Sequence, residues 1–176
     1  MTSVHLAHTA DLEPATRDAA RALLYDVFSD MTEDDWEHSL GGLHALLWEG
    51  TQLVGHAAVI QRRLMHAGRA LRTGYIEGVA VRADRQRRGY GSALMAELER
   101  VVRAAYDLGA LGSSDEGLPF YQARGWQLWR GPSYVLSPDG VRRTEEDEGA
   151  IFVLPVSVPL DLSGEITCDW REGDVW

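Results

Sequence analysis

An α+β fold built on a mixed, mostly antiparallel sheet is predicted from three features of the chain. The first half holds one helical stripe followed by long runs of sheet-forming residues. The middle reads strand, helix, strand, and the last third returns to short strands parted by turns. The 176 residues fit one domain, taken as 1–176, with no linker, internal repeat or low-complexity tract.

The elements follow in order. Val4 to Thr9 reads as a first strand, and Asp11 is placed to cap a helix over about 12–28. Ala15, Ala19, Leu23 and Val27, with Ala20, Leu24 and Phe28, form its apolar stripe. The acidic segment 30–37 breaks that pattern into a loop and a short helical turn, stopped by Gly41-Gly42. Leu43–Trp48 is a strand and Glu49-Gly50-Thr51-Gln52 a hairpin turn. Strands over 53–66 and 70–82 flank a turn at Ala67-Gly68-Arg69. From Gly89 a helix carries Leu94, Leu98, Val101, Val102 and Ala105 on one face. Leu108–Leu111 is a short buried strand, followed by a helix over 117–124 that Gly125 ends. Strands are expected at 126–129, 133–136 and 151–156. The central strand–helix–strand implies a parallel pair joined by a crossover.

Composition narrows the function. Hydrophobic residues make up 45% and charged residues 25%, and the net charge is −10. That acidity argues against nucleic acid and anionic membranes and favours a cationic ligand, although acidity also serves solubility. No apolar run is long enough to span a bilayer, and residues 1–5 lack a signal-peptide pattern, so a cytoplasmic location is expected. The single cysteine, Cys168, excludes an internal disulfide framework. The 6 histidines show no metal-ligand spacing, so no metal is implied and structural or surface roles are expected.

The charges are unevenly placed. Arg82, Arg85, Arg87 and Arg88 form one basic knot, whereas acids gather at 30–37, 145–148 and 169–174. One anionic and one cationic ligand are therefore expected. Gln86-Arg87-Arg88-Gly89-Tyr90-Gly91 follows a strand and opens a helix. Unpaired N–H groups at a helix start, close-approach glycines and arginines together suit a pyrophosphate. Leu94 stands where a dinucleotide fingerprint needs its third glycine, and a chain without lysine holds no P-loop. About thirty residues further on comes Phe120-Tyr121-Gln122-Ala123-Arg124-Gly125-Trp126. Taken singly, the first motif also fits a basic helix cap and the second a helix docked on a strand.

In this order and context the two motifs resemble the GNAT acetyltransferase superfamily. The resemblance implies a single GNAT domain whose sheet is splayed at its central strands and flanked by helices. It implies acetyl-CoA as co-substrate, held by Val79, Ala80 and Val81 and by the run Gln86, Arg87, Arg88, Gly89, Tyr90 and Gly91. It makes Tyr121 the acid for the leaving thiolate. Longer blocks resemble the aminoglycoside 2'-N-acetyltransferases: Asp34 to Ala45, His56 to Arg63, Glu77 to Arg82, and the tail Cys168 to Trp176. That likeness implies an aminoglycoside pocket lined by Asp30, Asp35, Glu77, Gly78, Gly112, Ser113, Asp147, Asp174 and Trp176, and it implies a homodimer. Gly112-Ser113-Ser114 departs from the family's serine run at position 112, which bears on substrate preference more than on the reaction.

Acyl transfer from a thioester to an amine needs an amine without its extra proton, donors for the acetyl oxygen, and a protonated leaving thiol. Glu77 is the candidate base, acting through water. The Val79 N–H is the candidate oxygen donor and Tyr121 the candidate acid. Acids and tryptophan suit a polycationic sugar through ion pairing and cation–π attraction. Glu33, Glu145, Glu146 and Glu148 are expected to be solvated. Two alternatives remain open: an acetyltransferase for an endogenous amino sugar or cell-wall glycoside, and a non-catalytic acyl-CoA-binding module.

Overall fold

Residues 2–176 are described by the computed structural model, and they carry every predicted strand and two more. They gather into two compact units. One holds the chain up to Ile60 with Ile76–Val101, and the other holds Gln61–Tyr75 with Val102–Trp176.

In the first unit, strand β1 (Thr2–His8) runs antiparallel to β2 (Leu43–Glu49), with His8 opposite Leu43. Strand β2 pairs antiparallel with the start of β3 (Gln52–His66) and changes register between Leu47 and Trp48. Helix α1 (Pro14–Val27) begins with a proline, whose missing N–H costs nothing in a first turn. The expected Asp11 cap is not formed. Asp11 lies in a 3-10 turn, Thr9–Asp11, and the N-cap is Glu13 without a side-chain bond, because Pro14 starts the helix later than the apolar stripe suggested.

The acidic segment is more regular than a turn. Helix α2 (Glu33–His38) starts at Thr32, whose hydroxyl accepts the Asp35 N–H while the Asp35 carboxylate accepts the Thr32 N–H. This reciprocal cap allows six residues to hold a helix and to bury Trp36. Trp36 packs with Leu12, Ala20, Leu23, Leu24, Leu46, Leu53 and Ala80. Each of these buried leucines contributes about 1.5–3 kcal/mol. The end of β4 (Arg69–Val81) and most of helix α3 (Tyr90–Ala105) complete this unit. Leu94, Met95, Leu98 and Val102 are buried on one face of α3, whereas Ala105, expected on that face, is exposed.

The second unit holds the remaining strands: β5 (Leu108–Gly112), β6 (Gln127–Leu128), β7 (Ser133–Ser137), β8 (Gly140–Arg143), β9 (Ile151–Pro155) and β10 (Ile166–Cys168). Strand order is β6-β9-β5-β4-β3-β10-β7-β8. Strands β4 and β5 are parallel, as predicted, with Thr73 opposite Leu108 and Tyr75 opposite Ala110. Their pairing stops at Tyr75 and Ala110, whereas β5 stays paired with β9 as far as Gly112 and Ile151. Helix α4 (Leu118–Ala123) follows β5 and ends before Gly125, as predicted. The unpredicted β10 is parallel to β7 and antiparallel to β3, and the unpredicted β8 is an exposed edge beside β7. The core is formed by Leu64, Leu71, Tyr75, Trp129, Val153, Ile166 and Trp176 among others. Among the described residues, no helix is long and apolar enough to cross a membrane.

Candidate active site

The predicted chemistry falls into two groups, one in each unit. The first begins where β4 leaves the core. Glu77, Gly78 and Val79 are half-buried there, and Gly78 has φ +55, outside the range of regular strands. A side chain at Gly78 would stand 2.9 Å from Ser39 Oγ, 3.2 Å from Leu24 Cδ1 and 3.3 Å from His56 Nδ1. The left-handed φ takes the backbone at Gly78 out of regular strand geometry, with Glu77 and Val79 on either side of it.

The Gly78 carbonyl accepts a hydrogen bond from His56 Nδ1 at 2.8 Å. His56 Nε2 is 2.9 Å from His44 Nδ1, and His44 Nε2 is 2.7 Å from Thr9 Oγ1. Both rings are fully buried. Burial, and then the neighbouring His56, pulls His44 down to about 3. Burial likewise pulls His56 down to about 4, against the raising effect of its bond to Gly78. The two rings are therefore neutral at physiological pH. Sequence reasoning left them among structural or surface histidines. Their signal was a polar residue at an inward position of a strand whose other inward residues are apolar.

The basic knot after β4 divides in two. Arg85 Nε donates to Glu49 Oε2 at 2.7 Å and Arg85 Nη1 to Asp84 Oδ2 at 2.7 Å. Arg82 donates to both oxygens of Asp84. Tyr90 bonds the other oxygen of Glu49, and Gln86 Nε2 donates to the Val81 carbonyl at 3.2 Å. Tyr90 first, and Arg85 next, hold the Glu49 carboxyl below its usual range. Arg87 and Arg88 carry no such carboxylate partner among the described residues. Arg87 has φ 61 and Gly89 φ 80, a left-handed geometry that turns backbone N–H groups to one side just before α3 begins. Sequence reasoning missed Glu49 as the brace of this turn.

Of the other acids in the first unit, Asp30 is exposed. Asp35 Oδ2 accepts Thr32 N–H at 2.8 Å and Thr32 Oγ1 at 2.7 Å, so this carboxylate holds a helix cap. The Thr32-x-x-Asp35 spacing carried that signal. Glu33 pairs with Arg21.

The second group gathers around the tail. The Trp176 indole is buried and donates from Nε1 to Thr144 Oγ1 at 2.9 Å, and the Trp176 N–H reaches Asp174 Oδ1 at 3.3 Å. Thr144 Oγ1 also lies 2.7 Å from Ser133 Oγ. Arg171 ties the tail down, donating to the Asp174 carbonyl at 2.7 Å and the Trp176 carbonyl at 3.1 Å. Asp147 is pushed up to about 6, first by burial and then by the negative charge of Asp174. An aspartate held back from ionisation by burial and by a neighbouring carboxylate is a group that a cation stabilises. Gly112 lies against the tail, since a Cβ there would be 3.3 Å from the Trp176 carbonyl carbon. Ser113 Oγ donates to the Ser114 carbonyl at 2.8 Å. Glu145, Glu146 and Glu148 are exposed, as expected, and also form surface ion pairs: Arg142 with Glu146, and Arg143 with Glu145 and Glu148.

Tyr121 lies in α4 at 8% exposure, edge-on to Phe120 and near Trp126 and Phe152. Burial pushes its hydroxyl up to about 12, so it holds its proton throughout the physiological range. Cys168 is buried and pushed up to about 11, which keeps its sulfur protonated and a poor nucleophile.

Residues 9–129 match a family model described as an acetyltransferase (GNAT) domain. Over 179 aligned residues, 99% of this chain and 92% of the relative, the sequence is 50% identical to an aminoglycoside 2'-N-acetyltransferase of Mycolicibacterium fortuitum. In fold it is similar to Escherichia coli ElaA, with a TM-score of 0.61, 21% identity, and coverage of 89% of this chain and 99% of that one. It is also similar to Eis1 from Mycobacterium abscessus, with a TM-score of 0.63 and 15% identity over 76% of this chain. The chain spans only 33% of Eis1.

Proposed function

This chain belongs to the GNAT acetyltransferase family, and from that premise we propose that it moves the acetyl group of acetyl-CoA onto the 2'-amine of an aminoglycoside, so conferring resistance. The observation that carries the acceptor class is Asp147, raised to about 6 by burial and by Asp174 next to the buried Trp176. A polycationic sugar relieves that repulsion. The choice of amine rests on the relative, an aminoglycoside 2'-N-acetyltransferase 50% identical over 99% of this chain.

The residues fit acetyl-CoA. Arg87 and Arg88, with the N–H groups from Gly89 to Gly91, would hold its diphosphate while Arg82, Arg85 and Gln86 brace the turn. Val79, Ala80 and Val81 would hold the pantetheine arm through their backbone. Acetyl-CoA supplies an acetyl group activated as a thioester.

On this reading Glu77 takes the proton of the attacking amine through water, and the Val79 N–H donates to the acetyl oxygen as negative charge gathers there. The C–N bond forms as the C–S bond breaks. Tyr121, protonated because it is buried, supplies the proton that the sulfur gains. Asp30, Asp35, Asp147 and Asp174 attract the cationic acceptor, and Gly78, Gly112 and Ser113 shape its seat. A homodimer in the cytoplasm completes the proposal.

Mass spectrometry of the product tests it. One acetyl group on the 2'-nitrogen is expected, and acetylation elsewhere, or none with acetyl-CoA bound, rejects the assignment.

A further inference from the structure

We infer that His56, held by His44, is a positioning residue that aims the Val79 N–H at the acetyl oxygen; the inference rests on the reaction proposed above.

The protons of this row can be assigned one by one. A carbonyl oxygen only accepts, so His56 Nδ1, 2.8 Å from Gly78 O, must carry hydrogen. A neutral His56 then accepts at Nε2, which obliges His44 Nδ1 to donate across 2.9 Å. A neutral His44 accepts in turn at Nε2, where Thr9 Oγ1 donates across 2.7 Å. Thr9 Oγ1 itself accepts the Gly41 N–H at 2.9 Å. Only this arrangement leaves both rings neutral, so each tautomer is fixed by its neighbour. The row is directional and ends on one peptide oxygen.

That oxygen belongs to the peptide joining Gly78 to Val79. No peptide among the described residues is cis, and a trans peptide carries its N–H opposite its C=O. Drawing the carbonyl toward His56 therefore displays the Val79 N–H on the other side. Glycine by itself sets little preference for this orientation, because it crosses between positive and negative φ at small cost. The imidazole supplies the preference, and Ser39, Leu24 and His56 enclose the glycine so closely that no side chain fits. Neither histidine belongs to the diphosphate turn. Losing the row should therefore misdirect the donor and leave the diphosphate grip on acetyl-CoA intact.

The test uses the full chain with His56→Leu, His56→Asn and His44→Leu, their folding checked by circular dichroism. Two readouts are taken: kcat and KM with an aminoglycoside bearing a 2'-amine, and the carbon-13 resonance of the thioester carbonyl in bound, labelled acetyl-CoA. His56→Leu is expected to lower kcat on the order of ten- to a hundredfold while acetyl-CoA affinity stays within about twofold. It should also move the bound carbonyl resonance toward its position in free acetyl-CoA. His56→Asn keeps an N–H donor where Nδ1 stands and should restore most of both readouts, with His44→Leu in between. A folded His56→Leu with wild-type kcat and resonance overturns the inference, as does a folded His56→Asn no better than leucine. Should His56→Leu not fold, His44→Leu decides by the same criteria. If wild type binds acetyl-CoA without acetylating the aminoglycoside, yet its resonance depends on His56, the acceptor assignment fails and the positioning role stands. No uptake of acetyl-CoA removes both.

Discussion

Arg85 Nε donates to Glu49 Oε2 at 2.7 Å, so the most firmly held arginine of the turn after β4 is committed to a carboxylate of β2. Tyr90, the first residue of α3, bonds the other oxygen of the same carboxylate. The turn thus has braces, Arg82, Arg85 and Tyr90, and two arginines, Arg87 and Arg88, that form no ion pair with a carboxylate among the described residues.

Substitution should separate these roles. Arg88→Ala is expected to weaken acetyl-CoA on the order of tenfold with little change in thermal midpoint. Glu49→Gln is expected to lower the thermal midpoint more than Arg88→Ala does. Calorimetric titration and a thermal melt of each variant check the division, and equal loss of affinity in both variants would contradict it.

Gly78→Ala should be strongly destabilising. The position has φ +55, and a Cβ would meet Ser39 Oγ at 2.9 Å and Leu24 Cδ1 at 3.2 Å. Left-handed strain and overpacking together should cost about 2–4 kcal/mol, measured by urea unfolding. A cost under about 1 kcal/mol would mean that the backbone at Gly78 yields easily.

Stability should fall as pH drops from 7 toward 5. His44 and His56 stay neutral when folded, down to about 3 and 4, but unfolded they take up protons near 6.5. The unfolded chain therefore binds more protons in that window and acid favours it. Asp147 works the other way, because its folded carboxyl, at about 6, protonates before its unfolded one. Two histidines against one aspartate leave a net excess of about one proton in the unfolded state near pH 5. Urea midpoints at pH 7 and pH 5 check the sign, and a midpoint that rises on acidification would contradict it.

A bound polycation should pull Asp147 back toward ionisation. Near pH 6 aminoglycoside binding is then expected to release protons, seen as buffer-dependent heats in calorimetry. Asp147→Asn should abolish that release and weaken binding roughly tenfold. Proton release that persists in the variant would remove Asp147 from the site.

The fold was largely legible because its main elements are long and periodic. The α1 stripe, the β3–β4 hairpin at Ala67-Gly68 and the glycine-flanked start of α3 all carry local signals. Strand β8 escaped because all four of its residues are exposed and show no alternation. Strand β10 escaped because three residues, Ile166–Cys168, are held only by partners distant in sequence, Leu64 and Met65 on one side and Ser133 to Val135 on the other. The site was legible where chemistry lies in a contiguous motif, as at Gln86 to Gly91. It was only half legible where one residue type serves two purposes. Asp35, expected at the acceptor pocket, also caps a helix, and Gln86, expected at the diphosphate, also bonds the Val81 carbonyl. The histidine row was hidden because Thr9, His44, His56 and Gly78 come together only once four segments have folded.

The central claim is transfer to a 2'-amine, and thiol release tests it most directly. The protein is mixed with acetyl-CoA and either an aminoglycoside carrying a free 2'-amine or one carrying a hydroxyl there, and free coenzyme A is followed with a thiol reagent. Release with the amine alone is the predicted result; equal release with both compounds would contradict it.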